Sequence, residues 1–182
     1  AAIVASASVS FATELDTIAH LSAAARRQGL VHSVLLMVEL GDLREGILPG
    51  KLIAFVRKAI GFEHIHVAGI GTNLACRSGV APDTANMSEL SALADQVERI
   101  LGLRLAIVSG GNSANLKWVL GCANTGRINN LRLGESILLG REPLHRQPLT
   151  GLHTDAFVLV GEVIESRLKP SAPWGELAQT SF

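Results

Sequence analysis

The chain has 182 residues, 48% of them hydrophobic and 18% charged, which is too apolar for a disordered segment and sufficient for a buried core. Its 16 basic residues balance its 16 acidic ones without a block of either sign, so no nucleic-acid footprint or polybasic membrane anchor is expected, and a small-molecule ligand fits better. Two cysteines, Cys76 and Cys122, match neither a metal-ligand spacing nor a disulfide scaffold, which makes the cytoplasm the expected compartment and leaves no metal site to assign.

The opening run AIVASAS (2–8) is apolar, has no charged leader and is too short to span a membrane. It reads as a strand whose beginning has been cut away. TELDTIAHLSAAARRQG then puts Leu15, Ile18, Ala19 and Leu21 on one side of a helix, and VHSVLLMVEL (31–40) is the next strand. GKLIAFVRKAIG is helical in period and HIHVAGIG (64–71) is again a strand. The clearest helix is TANMSELSALADQVERILG: Met87, Leu90, Leu93, Ala94, Val97, Ile100 and Leu101 follow the i, i+3, i+4, i+7 rule, and Gly102 stops it. RLAIVSG (104–110), a helical NSANLKWVLGC and RINNLRL (127–133) complete the alternation.

Nearly continuous hydrophobicity marks these as strands of a parallel sheet covered by helices, and the rhythm is a run of about five βα units where a closed (βα)8 barrel has eight. The rhythm breaks after Gly140. REPLHRQPLTGLHT is a proline-containing connection, and DAFVLVGEVIESRLKP alternates as one long strand, so a second, antiparallel β module is expected from near Asp155. Residues 1–150 are thus read as a partial βα barrel and 151–182 as the beginning of a β domain, with both ends truncated.

In a βα barrel, chemistry gathers at the C-terminal ends of the strands. That rule selects ELGDLREG, GTNLACRSG, SGGNSANL and RLGES. Gly110 and Gly111 permit a tight turn, Asn112 or Ser113 caps the next helix, and the freed N–H groups face an anion. Gly134 repeats the arrangement beside a permanent cation, Arg132. Two such turns around one anion point to a phosphorylated cofactor. Blander readings stay open: Arg132 pairs with Glu135 or Glu142 on a wet rim, Glu39 and Arg44 form a structural ion pair, Cys76 and Cys122 are inert core thiols, and His64 and His66 are a surface pair.

The blocks VELGDLREGI, GIGTNLACRSGV, NMSEL, VSGGNSANL, GRINNLRLGESILLG and TDAFVLVGEVIESRLKPS together resemble the alanine/ornithine racemase family of fold-type III pyridoxal-phosphate enzymes, nearest its ornithine racemase branch, from about Ala5 to Phe182. The resemblance implies an α/β fold, the C-terminal part of a (βα)8 TIM-type barrel followed by the start of an antiparallel β domain. It implies pyridoxal 5′-phosphate as cofactor, an amino-acid substrate such as ornithine, racemisation by removal and return of the Cα proton, and a homodimer. By the same resemblance Arg132 matches the arginine that faces the pyridine nitrogen. Ser113, with Asn112 beside it, matches the phosphate-binding turn, and Gly134 and Glu135 match the second phosphate contact. Asn73 stands where alanine racemases place a histidine against the ring, with a hydrogen bond to the cofactor as the substitute. Arg44 matches an arginine near the phenolic oxygen and the substrate carboxylate.

Two departures accompany the match. The family's Schiff-base lysine lies upstream of this sequence, and Lys51, Lys58, Lys117 and Lys169 do not replace it. The second acid/base group of alanine racemases is a tyrosine of the partner subunit, and this chain contains no tyrosine. Alone, it is therefore expected to be inactive and unstable, with open sheet edges. Asp42, Glu45 and Asp155 are candidates for a substrate's distal amine. One alternative is a PLP-binding homeostasis barrel without turnover, against which the expected β module argues. Another is a generic α/β phosphate-binding domain.

Overall fold

Five strands lie side by side in chain order, each parallel to the next: β1 (Val9–Ala12), β2 (His32–Met37), β3 (Ile65–Gly71), β4 (Ile107–Asn112) and β5 (Asn130–Arg132). The computed structural model describes residues 1–172 together with Trp174 and Gly175. Helices α2 (Leu15–Arg27), α3 (Pro49–Ala59) and α4 (Thr84–Leu101) return the chain from one strand to the start of the next. Sequential order with parallel neighbours curls the sheet into half of a βα barrel, as expected from the apolar strand runs.

Side chains alternate across a strand, so each strand divides its residues between two faces. One face carries Ala12, Val34, Leu36, Ile70 and Val108, and these join Ile18, Leu52, Val56, Leu90 and Val97 of the helices in one buried cluster. The concave face receives Phe11 and Leu35 with the small residues Gly69 and Gly71. Gly69 is obligatory at its position, since a Cβ there would lie 1.9 Å from the Ile107 carbonyl oxygen of the adjacent strand. The α4 helix begins at a capping box, with Asp83 accepting from the Asn86 N–H and Asn86 accepting from the Asp83 N–H, and ends at left-handed Gly102.

Three sequence expectations are corrected. Residues 2–8 are not a strand: Ala2–Ser6 form helix α1, Val4 is buried against the core, and the first strand starts at Val9. A short run of small apolar residues has no period long enough to separate helix from strand, and packing on the helix layer selects the helix. NSANLKWVLGC opens with a 3-10 turn at Ser113–Asn115 before α5 (Leu116–Gly121), while β4 extends to Asn112 and β5 is shorter than its run. The long strand expected at 155–170 does not form; Leu159 is 99% and Ile164 95% exposed. A strand is a paired state, and among the described residues no neighbour offers this segment a ladder. The end of the expected β module, 176–182, lies outside the described residues.

Candidate active site

Arg132 closes β5, and its guanidinium reaches back over the ends of the other strands. Nη1 donates to Ser109 Oγ at 2.5 Å, and Nη2 donates to the Thr72 carbonyl at 3.0 Å and to Asn73 Oδ1 at 3.3 Å. Its carbon stands 5.0 Å from the ring centroid of Phe11 on β1, within cation–π range. Every one of these partners is neutral. The two acids that could have neutralised it are occupied elsewhere: Glu135 pairs with Arg146, and the Glu142 carboxylate accepts from the N–H groups of Leu144 (2.8 Å), His145 (3.0 Å) and Gln147 (3.2 Å). Burial pushes the Arg132 pKa down and the charge of Glu45 works against that; an arginine remains a cation under either influence. The half-buried charge is therefore positioned by neutral groups, with no carboxylate in direct contact.

The turn after β4 lies beside it. Asn112 Nδ2 donates to Asn73 Oδ1 (2.9 Å) and to the Leu74 carbonyl (2.8 Å), while its Oδ1 accepts from the Ala114 N–H (2.8 Å). Gly111 has φ +140°, and a Cβ there would strike Asn115 Oδ1 at 2.2 Å, so both backbone and space demand glycine. Buried Ser113 Oγ accepts from the Gly134 N–H (3.2 Å) and the Ser136 N–H (3.1 Å) and shares a hydroxyl–hydroxyl hydrogen bond with Ser136 Oγ (3.1 Å). This hydroxyl ties the β4 turn to the start of α6 (Glu135–Leu139): its two lone pairs take the backbone N–H groups and its proton is left for Ser136 Oγ or a ligand. A cavity of about 270 Å³ opens between the two turns, lined by Cys76, Asn112, Ser113, Arg132, Gly134 and Glu135 with their neighbours. A larger one, about 380 Å³, lies beside Leu116, Lys117, Leu120, Gln147, Leu149 and Thr150 and includes neither Ser113 nor Arg132.

Buried carboxylates hold the rim in shape. Glu39 accepts from the Leu43 N–H (3.0 Å) and the Arg44 N–H (3.3 Å), so it serves the backbone instead of forming an ion pair with the Arg44 side chain. Arg44 pairs with Glu45, Nη2 to Oε1 at 2.7 Å, on the exposed edge. Asp42 accepts from the N–H groups of Cys76 (3.2 Å), Arg77 (2.8 Å) and Ser78 (3.0 Å). Burial alone would raise its pKa, but these backbone donors outweigh it and hold the carboxyl below its usual range. Asp42 is a clamp between two loops and has nothing left for a substrate amine.

Five of the expected residues, Arg132, Ser113, Asn112, Gly134 and Glu135, thus line one cavity, and Asn73 is bonded to two of them. Arg44 stands apart on the rim, and Asp155 is exposed. Among the described residues no lysine lines the cavity: Lys51 and Lys58 are on α3, Lys117 is on α5, and Lys169 pairs with Glu165. Sequence reasoning missed Phe11, Thr72, Ser109 and Ser136. Ser109 and Ser136 sit within or beside the strand-end blocks, and attention to every polar residue there would have included them. Phe11 was hidden by placing the first strand too early.

Comparison with known proteins agrees with the fold. Residues 3–142 match the family described as alanine racemase, N-terminal domain. The ornithine racemase of Acetoanaerobium sticklandii is 41% identical over 177 residues, covering 97% of this chain and 50% of that protein. The lysine racemase of Thermotoga maritima is 34% identical over 143 residues, 79% of this chain and 40% of that protein. The chain thus spans half or less of the length of these curated relatives. In fold it is similar to the alanine racemase of Streptomyces coelicolor A3(2), with TM-score 0.62 and 20% identity over 78% of this chain and 37% of that one. It is also similar to PipY of Synechococcus elongatus PCC7942 with PLP bound, with TM-score 0.57 and 18% identity over 72% of this chain and 61% of that one.

Proposed function

This chain belongs to the alanine racemase N-terminal domain family, and from that premise we propose that it is the cofactor-binding part of a PLP-dependent amino-acid racemase acting on ornithine or a related amino acid. One observation carries the cofactor reading: a half-buried arginine with only neutral partners shares a cavity with a turn rich in hydroxyl and N–H donors. A phosphorylated pyridine needs that donor set, an anion cradle at one end and a fixed cation at the other. When bound, PLP supplies a sink for the electron pair left at Cα by proton removal.

In this reading the chain's own residues bind and orient. Ser113 and the backbone at Gly134 and Glu135 grip the phosphate, the Gly134 N–H exchanging Ser113 Oγ for it, while Asn112, whose side chain is engaged by Asn73, the Leu74 carbonyl and the Ala114 N–H, shapes the turn that bears Ser113. Arg132 faces the ring nitrogen and, by its charge, keeps a proton off that atom. Arg44 exchanges Glu45 for the substrate carboxylate, for which its fork is suited. Asn73, whose side chain is already engaged by Arg132, Asn112 and Cys76, serves beneath the arginine instead of against the ring. The two proton-transfer groups, one for each face of Cα, are assigned to a lysine upstream and to a partner subunit of a homodimer. We also propose that a β domain begins after residue 150, and that the protein works in the cytoplasm. The similarity to PipY raises the alternative of a PLP carrier without turnover. Alignment of the ornithine racemase along 97% of this chain, tail included, favours the racemase.

The test is titration calorimetry with pyridoxine 5′-phosphate, which has no aldehyde and so needs no lysine. Saturable 1:1 binding, weakened about tenfold or more by Arg132→Leu or Ser113→Ala, is expected. The titration is made on the protein extended to the length of its relatives, and absence of binding there rejects the cofactor assignment. Racemisation of ornithine, lysine and alanine by the protein extended to the length of its relatives then decides between racemase and carrier.

A further inference from the structure

The two ends of the cavity are not independent, because one side chain is bonded to both. Asn73 Oδ1 accepts from Arg132 Nη2 (3.3 Å) and from Asn112 Nδ2 (2.9 Å), and its own Nδ2 donates to Cys76 Sγ (3.0 Å). Asn112 in turn donates to the Leu74 carbonyl and caps Ala114, which fixes the turn bearing Ser113. An amide oxygen has two lone-pair directions, and here each is used by a different element of the site. Asn73 itself comes just after β3 and is buried, 9% exposed, so its position is set by the sheet and not by solvent.

We propose that Asn73 is a positioning residue that couples the Arg132 cation to the Asn112–Ser113 anion turn, so that an anion held at the turn stiffens the arginine toward a ring and the reverse. This rests on the proposed cofactor reading and adds to it: the ligand class is a phosphate joined to a heterocycle with a lone pair on a ring nitrogen, bound more tightly than its two halves held separately would allow. The physical basis is the cost of ordering. Arg132 has long, flexible methylenes, and a carbonyl and an amide oxygen that share one of its nitrogens restrict it before the ligand arrives. Loss of Asn73 leaves Asn112 Nδ2 without one acceptor and lets the two ends move separately.

The experiment is a double-mutant cycle read by calorimetry, with pyridoxine 5′-phosphate and inorganic phosphate as probes, on the protein extended to the length of its relatives as wild type, Asn73→Ala, Arg132→Leu and the double variant. Asn73→Ala is expected to weaken pyridoxine 5′-phosphate about tenfold and inorganic phosphate by a smaller factor. In the Arg132→Leu background the same change costs pyridoxine 5′-phosphate only about as much as it costs phosphate. An equal loss in both backgrounds, or no loss in either, overturns the coupling. The isosteric Asn73→Asp guards against misfolding and adds a pH readout. Its carboxylate pairs with Arg132 and lowers affinity for the ring ligand, and relative to wild type at the same pH the loss is recovered as acid protonates that group. A loss that does not change with pH overturns the positioning role. If the extended wild-type protein fails to bind pyridoxine 5′-phosphate, the cofactor reading falls and the coupling with it; wild-type binding with an unaffected Asn73→Ala rejects the coupling alone.

Discussion

The two faces of the sheet solve opposite problems. Toward the helices, Val34, Leu36, Ile70 and Val108 are buried to within a few per cent and belong to one apolar cluster, so each is held by lost water contact and by packing. Toward the concave side, Phe11 is 52% exposed, glycines replace side chains at 69 and 71, and the long side chain of Arg132 lies across Phe11. The first face stores stability; the second leaves room for a ligand and aims polar groups into it. A face that binds cannot also be filled, which is why Gly69, Gly71 and Arg132 stand on the concave side.

That contrast can be broken by mutation. The largest effect is expected from Leu36→Ala on the helix-facing side, a fully buried leucine whose removal costs about 3 kcal/mol in urea denaturation without changing the affinity for pyridoxine 5′-phosphate by more than about twofold. A loss below about 1 kcal/mol would mean that the helix layer is loosely packed. Gly69→Ala tests whether the concave side is tolerant merely because it is open. The added methyl meets the Ile107 carbonyl at 1.9 Å and Leu35 Cδ1 at 2.9 Å, so strands β3 and β4 must part, at a cost of about 2 kcal/mol. A neutral Gly69→Ala would show that this part of the ladder adjusts freely.

The smallest effect is spread over acids that serve neither face. Asp42 and Glu142 are held below the usual carboxylate range by backbone N–H groups that outweigh the opposing effect of burial, and Glu98 by the Arg127 guanidinium first, with burial again opposing. A depressed folded-state pKa means the unfolded chain binds protons more readily. The stability these acids contribute is therefore complete above the unfolded carboxylate range, about pH 4, and is lost as pH falls through that range and below it. Denaturation midpoints tracked from pH 7 to pH 3 should decline only at the acid end, and less steeply in Asp42→Asn. A midpoint independent of pH would mean that these clamps do not hold the rim.

Much of the fold was readable along the chain. The α4 helix came from the spacing of Met87, Leu90, Ala94 and Val97 and from its Gly102 stop, and β2 and β3 came from apolar runs of the right length. The polar turns at Ser113 and Gly134 were found by the rule that sites gather at strand ends. The first strand was misplaced, because AIVASAS is apolar throughout and its helix is chosen by contact with the layer outside the sheet. The strand expected at 155–170 failed for the opposite reason: its alternation is genuine, but alternation does not supply a partner.

By itself the sequence determined the alternation of strands and helices, the parallel sheet and the residues available at its ends, because apolar period, caps and turns act over a few neighbouring positions. The tertiary structure alone decided who holds whom. Arg132 meets Ser109 from 23 positions away and Thr72 from 60, and Glu135 and Glu142, much nearer in sequence, are occupied by Arg146 and by local N–H groups. Those pairings depend on the register that sets Asn112 beside Arg132 and Ser109 beside Asn130 across adjacent strands. Register is a property of two segments together, fixed by packing on the helix layer, and neither segment carries it alone.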